Sequence, residues 1–222
     1  MIKIKLKIQT KKLKPFFHYF YIADRSLLLV VTENMHSLVI FASGTGTNAN
    51  AIIEYFKKTG QALVSLIVSN KADAGVLEIA KKEEIPFLII NRKTFGETLL
   101  IEQLNEYQPS LIVLAGFLWK IPDHIIHAFH GKIINIHPAL LPGYGGKGMY
   151  GQKVHHAVLN AKEKESGITI HYVNEVYDEG NIILQARCNV IENDGADDLA
   201  KRIHKLEHFY YPRVIEYLLE NA

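Results

Sequence analysis

A chain of 222 residues, 48% hydrophobic and 22% charged, has the length and apolar content of one domain with a sizeable core, or one domain with an appendage. Its single cysteine, Cys188, excludes an internal disulfide and a cysteine-built metal site, and no apolar run approaches the ~20 residues of a membrane span. The net charge of +2 hides an asymmetry: residues 1–34 carry seven basic and two acidic side chains, which leaves a mildly acidic body that argues against nucleic-acid binding.

Residues 1–34 combine a Lys/Ile/Leu run with an aromatic stretch that Asp24 and Arg25 interrupt. They lack the unbroken apolar region and small-residue cleavage site of a signal peptide, and the Arg and Ser that an organellar presequence would want are scarce. The segment is expected to lie outside the fold, with a single domain over 35–222 beginning at Met35. From there the order is regular. A short buried strand over 38–42 leads through a turn into a helix over 49–58. Strand 62–69, helix 74–84, short strand 86–90 and helix 95–107 follow, then a very apolar strand over 110–114. Pro122 suits the first turn of a helix ending near Gly131, and 132–136 is the fifth strand. Strands that alternate with helices and are apolar on both faces indicate an α/β fold with a doubly wound, mostly parallel, Rossmann-like sheet flanked by helices. After a helix over 150–160, strands 167–173 and 181–190 are joined too closely for a parallel crossover. They are therefore expected to be antiparallel, near the C-terminus. A final helix over 197–219 carries Leu199, Ile203 and Leu206 at helical spacing, and Pro212 is a point where it can be interrupted.

Two stretches carry chemistry. Ser43-Gly44-Thr45-Gly46-Thr47-Asn48 joins a strand to a helix and leaves backbone N–H groups free at the positive helix end, which suits a phosphate. Gly44, Gly46 and Ala49 satisfy the dinucleotide fingerprint, but the second strand ends Val68-Ser69-Asn70-Lys71 without the acid that would bind a ribose. One phosphate is therefore the better reading, with a plain tight turn as the alternative. In Asn135-Ile136-His137-Pro138, the amide and imidazole share one strand face at its C-terminal end. Such a pair can act on a carbonyl, one group holding the oxygen and the other moving a proton. It can equally be a buried Asn satisfying backbone groups beside a His that caps the strand. Ligands bind at the C-terminal ends of strands in such a sheet, where the first turn, Ala115-Gly116-Phe117-Leu118 and the Asn135/His137 pair all lie.

Those motifs, with Ser69-Asn70-Lys71-Ala72-Asp73-Ala74, Leu114-Ala115-Gly116-Phe117, Ala139-Leu140-Leu141-Pro142, Gly167–Tyr172, Asp178-Glu179-Gly180 and Leu206-Glu207-His208, resemble those of the phosphoribosylglycinamide formyltransferase family in the same order. The resemblance covers about 36–220. It implies transfer of a formyl group from 10-formyltetrahydrofolate to the amine of glycinamide ribonucleotide in purine synthesis, by a cytoplasmic monomer or homodimer without a metal. It also implies that Asn135, His137 and Asp178 are catalytic and that Gly46, Thr47, Asn48 and Glu207 hold the nucleotide substrate. Leu118, Trp119, Lys120 and Ile121, with Asn135, Asn174, Glu175, Val176, Tyr177 and Asp178, are implied to bind the folate.

The chemistry of these side chains agrees with the roles. Asn135 can donate to the oxygen of a tetrahedral intermediate, and His137 titrates near the operating pH. An Asp178 close to His137 would favour the imidazolium and orient the ring. Two features depart from the family. The region 94–99 has no Arg beyond Arg92, so a folate contact made by an Arg there in several relatives is not carried over. The segment 143–151 is unusually rich in glycine, which fits a mobile lid, a close backbone approach to ligand or a plain connector; its Lys147 is a phosphate contact or a solvent lysine.

His204-Lys205-Leu206-Glu207-His208 formally matches a zinc-peptidase pattern, but the resemblance assigns Glu207 to substrate. His124, His127 and His130, spaced by three, read as a wet helix face. Two relatives share the Asn-x-His-Pro chemistry. Methionyl-tRNA formyltransferase adds an RNA-binding domain and a basic surface, and formyltetrahydrofolate hydrolase adds a regulatory domain that 34 residues are too few to form.

Overall fold

The computed structural model describes residues 35–221, together with an antiparallel pairing of Phe20–Tyr21 with Leu28–Leu29. The remaining residues of 1–34, and with them the expectation that this segment lies outside the fold, fall outside the described residues. By its internal contacts the chain divides into Met1–Met35 and His36–Ala222. The larger unit carries the motifs.

Its elements are β1 (His36–Phe41), α1 (Thr47–Thr59), β2 (Ala62–Ser69), α2 (Gly75–Lys82), β3 (Phe87–Ile89), α3 (Arg92–Phe95), α4 (Leu99–Asn105), β4 (Leu111–Leu114), α5 (Asp123–Ala128), β5 (Ile133–His137), α6 (Gln152–Asn160), β6 (Glu165–Tyr172), β7 (Ile182–Asn189) and α7 (Ala196–Glu220). The seven strands form one sheet in the order β3-β2-β1-β4-β5-β6-β7. The pairs from β3 to β5 are parallel, whereas β5–β6 and β6–β7 are antiparallel. This is the α/β sheet that the alternation of elements implies.

Both faces of the sheet are covered. Leu38 and Ile40 join Ile52, Phe56, Leu199, Ile203 and Ile215 beneath α1 and α7. Their neighbours Val39 and Phe41 point the other way, into a cluster with Phe95, Leu104, Ile125 and Phe129. Side-chain alternation along a doubly buried strand explains why β1 has no polar position from Leu38 to Phe41.

Two details differ from the sequence reading. The helix expected over 95–107 is two helices, α3 and α4, separated by Gly96–Thr98. The Asn91 side chain accepts from the N–H groups of Lys93 (2.9 Å) and Thr94 (3.0 Å), and Thr94 Oγ1 accepts from Asn91 N–H at 3.0 Å. This capping box starts a helix at Arg92, before the apolar spacing begins, and Gly96 ends it. Pro212, by contrast, does not interrupt α7, which runs unbroken past it. Its neighbour Tyr211, fully buried, donates its hydroxyl to the carbonyls of Leu114 (3.0 Å) and Ile134 (3.3 Å), pinning the helix to β4 and β5.

Candidate active site

The parallel register pairs Phe41 with Leu114 and Leu114 with Asn135, so β1, β4 and β5 end side by side. Their following turns enclose a cleft of about 610 Å³. At one end is the turn into α1. Gly46 there has φ +80°, and a Cβ on it would fall 2.8 Å from Val76, so this close approach of the turn to α2 requires glycine. Ser43 ties this turn to the next: its Oγ accepts from the Leu118 N–H at 2.9 Å, and its own N–H donates to the Gly116 carbonyl at 3.1 Å.

Gly46, Thr47 and Asn48 line the cleft with Glu207 of α7. The Asn48 amide donates to Glu207 Oε2 at 2.9 Å, while its Oδ1 is buried without a partner among the described residues. Burial pushes the Glu207 carboxyl up to about 7 against the opposing hydrogen bond from Asn48. Two acceptors, Asn48 Oδ1 and Glu207, therefore sit together where a ligand donor would satisfy both.

Asn135, His137 and Asp178 also line the cleft, and a fourth polar side chain completes them. His171 on β6 stands directly opposite Asn135 in the antiparallel register, as Thr169 stands opposite His137. The His171 Nδ1–H donates to the Tyr172 carbonyl at 2.8 Å, and Nε2 lies 3.1 Å from Asn135 Nδ2, placed to accept from the amide when it carries no proton. Asp178 lies between the two rings, Oδ1 3.7 Å from His171 Nε2 and Oδ2 3.6 Å from His137 Nδ1. Its Oδ2 accepts from the Gly146 N–H at 2.8 Å. On the far side of His137, Nε2–H donates to the Tyr144 carbonyl at 2.7 Å. Thr169 and His171 both lie in the Gly167–Tyr172 motif, to which the resemblance gives no role. The Thr169 hydroxyl donates to the Ala139 carbonyl (2.7 Å) and accepts from the Leu141 N–H (3.0 Å), fixing the turn that follows His137.

Burial pushes the Asp178 carboxyl up, but the His171 and His137 rings and the Gly146 N–H together outweigh it, leaving its pKa below the usual value. For His137 burial is the largest influence and prevails. It holds the pKa below that of an ordinary histidine, against the opposing pull of Asp178 and the Tyr144 carbonyl. The expectation that Asp178 favours the imidazolium is right in sign, but desolvation exceeds it, and burial favours the neutral ring. Burial, with the nearby His204, His156 and His137, pushes His155 in the same wall down to about 4.

Of the residues expected to bind folate, Leu118, Trp119, Lys120, Ile121, Asn174, Val176 and Tyr177 line the cleft. Glu175 does not; its carboxylate lies 3.1 Å from His127 on the outer surface. Arg92 places its guanidinium 4.0 Å from the centre of the Trp119 ring, so it touches this wall only through the indole. In the glycine-rich segment, Gly146, Lys147, Gly148, Met149, Tyr150 and Gly151 form another wall, with positive φ at each of those three glycines. Among the described residues no three His, Cys, Asp or Glu side chains converge as a metal site requires. Nor is any described helix long and apolar enough to cross a membrane.

The chain is similar to known proteins over most of its length. Residues 36–215 match the formyl transferase family model. The chain is 40% identical over 191 residues to phosphoribosylglycinamide formyltransferase of Bacillus subtilis, covering 83% of this chain and 95% of that protein. It is 38% identical over 203 residues to the chloroplastic phosphoribosylglycinamide formyltransferase of Vigna unguiculata, covering 89% of this chain but only 65% of the longer relative. Glycinamide ribonucleotide transformylase 1 from Symbiobacterium toebii superposes with a TM-score of 0.78 at 32% identity, covering 85% of this chain and 90% of that one. By motif, architecture and family match alike, the chain belongs to the formyl transferase family.

Proposed function

We propose that this protein transfers the formyl group of 10-formyltetrahydrofolate to the amine of glycinamide ribonucleotide, a step of purine synthesis. The observation that carries this reading is one cleft holding a phosphate turn at one end and the Asn135–His171–Asp178–His137 array at the other.

The phosphate of the acceptor meets the N–H groups at the start of α1, and Asn48 and Glu207 take hydrogen bonds from its donors. The folate lies against the 118–121 and 174–178 walls. The neutral amine adds to the formyl carbon, forming a C–N bond while the carbonyl oxygen becomes anionic. Asn135 Nδ2 carries two N–H groups; one is given to His171, and the other is free for that oxygen. His137, neutral at rest, accepts the proton that the attacking nitrogen sheds, and Asp178 stabilises the imidazolium so formed. The same proton then goes to the folate nitrogen as its bond to the formyl carbon breaks. Atoms and charges balance without a metal or a covalent intermediate.

The domain over 35–222 carries this activity without needing the N-terminal extension 1–34, and the enzyme works in the cytoplasm as a monomer or homodimer without nucleic-acid or membrane partners. Activity of a chain expressed from Met35 tests the extension. Release of folate product with and without glycinamide ribonucleotide tests the function. Acceptor-dependent release is expected, acceptor-independent release would indicate a hydrolase, and no release in either case would leave a binding module.

A further inference from the structure

We infer that Tyr144 is a positioning residue for His137, its main-chain carbonyl holding the Nε2 proton so that Nδ1 is the nitrogen that exchanges protons with the reactants. The inference rests on the proposed role of His137 as the proton carrier.

The carbonyl is held in place from three directions. Tyr144 has φ +58°, a backbone region that bulky residues rarely occupy unless their surroundings impose it. Its ring packs on the core cluster under α1 and α7, and its hydroxyl donates to Glu163 Oε1 at 2.7 Å. Gly145 follows in tight contact: a Cβ there would fall 2.6 Å from Leu141 Cδ2 and 3.3 Å from Asp178 Cβ. Gly146 then donates its N–H to Asp178. Three consecutive residues thus grip both members of the pair through the backbone, the carbonyl of 144 on His137 and the amide of 146 on Asp178. A carbonyl can only accept, so the nitrogen facing it carries the proton in the neutral ring as well as in the charged one. The lone pair is left on Nδ1, which faces Asp178 across 3.6 Å, too long for a direct hydrogen bond. That nitrogen has no hydrogen-bond partner among the described residues, so it is the one left to take up a proton.

The test is a long-range nitrogen–proton correlation spectrum of histidine-labelled full-length enzyme, with the His137 signals identified by their loss in His137→Ala. The neutral His137 ring is expected to carry its proton on Nε2 alone. In Tyr144→Gly, which frees the backbone and removes the ring, both tautomers should appear. Its kcat should fall roughly 10-fold with both KM values held, and the acid limb of the kcat profile should move to lower pH. Tyr144→Phe keeps the packing and cuts only the link to Glu163, so a smaller change in the same direction is expected even if the glycine variant does not fold. A proton on Nδ1 in the unmodified enzyme overturns the inference, and so do Tyr144 variants with unchanged tautomer and kcat. Full turnover by His137→Ala would instead overturn the reading of His137 itself, whichever nitrogen bears the proton.

Discussion

At His137 two opposite influences meet, and burial prevails over Asp178, so the resting imidazole is a base. Its loss in His137→Ala should lower kcat by roughly 10²–10⁴, measured at saturating substrates. Asp178→Asn removes a group that raises the His137 pKa. The acid limb of the kcat profile should therefore shift to lower pH while the plateau falls; a shift to higher pH would reverse the assigned roles. Glu207 carries a linkage of opposite kind. Its folded pKa of about 7 lies above that of an unfolded glutamate, so the folded state binds the extra proton. The buried carboxylate thus destabilises the fold above pH 7, and that cost is relieved as pH falls from 7 towards the unfolded value. Glu207→Gln should accordingly stabilise the free enzyme at pH 8 by about 1–3 kcal/mol, or roughly 2–10 °C in Tm, and by much less at pH 5. Thermal unfolding at the two pH values checks this, and the same variant should bind the acceptor more weakly.

At the scale of elements, the loop that carries Asp178 depends on Gly180 meeting β6. A Cβ on Gly180 would stand 1.7 Å from the Tyr172 carbonyl oxygen, so backbone must move if it is added. Gly180→Ala should destabilise by about 1–3 kcal/mol and lower kcat by displacing Asp178 between its two histidines, as unfolding and turnover measurements on one preparation would show. The strands, their parallel arrangement and the three convergent turns were legible in the sequence because period and punctuation are local properties. The break at Gly96 was not, since the capping box begins at Asn91, upstream of the apolar spacing that marked the helix. His171 falls within the Gly167–Tyr172 motif, but its role was not legible for a different reason. Its place is set by cross-strand register, which pairs it with Asn135 from 36 residues away. A signal was present all the same: Thr169 and His171 interrupt an apolar strand with the same alternation as Asn135 and His137. The neutral state of His137 lay beyond sequence reading, because the spacing of residues fixes neighbours but not desolvation.

At the scale of the whole molecule, the sheet order gathers the lining of the cleft. β1 supplies the phosphate turn, β4 the 118–121 wall and β5 with β6 the polar array, all on one edge of adjacent strands. In the proposed transfer such a cleft holds donor and acceptor side by side, and none of its polar groups is needed as a covalent carrier of the formyl group. Transfer should therefore require both substrates to be bound at once. The most direct measurement is the initial rate over a grid of donor and acceptor concentrations. Reciprocal plots are expected to intersect, as for a sequential reaction; parallel lines, the mark of a formyl-enzyme released from its donor before the acceptor binds, would contradict direct transfer.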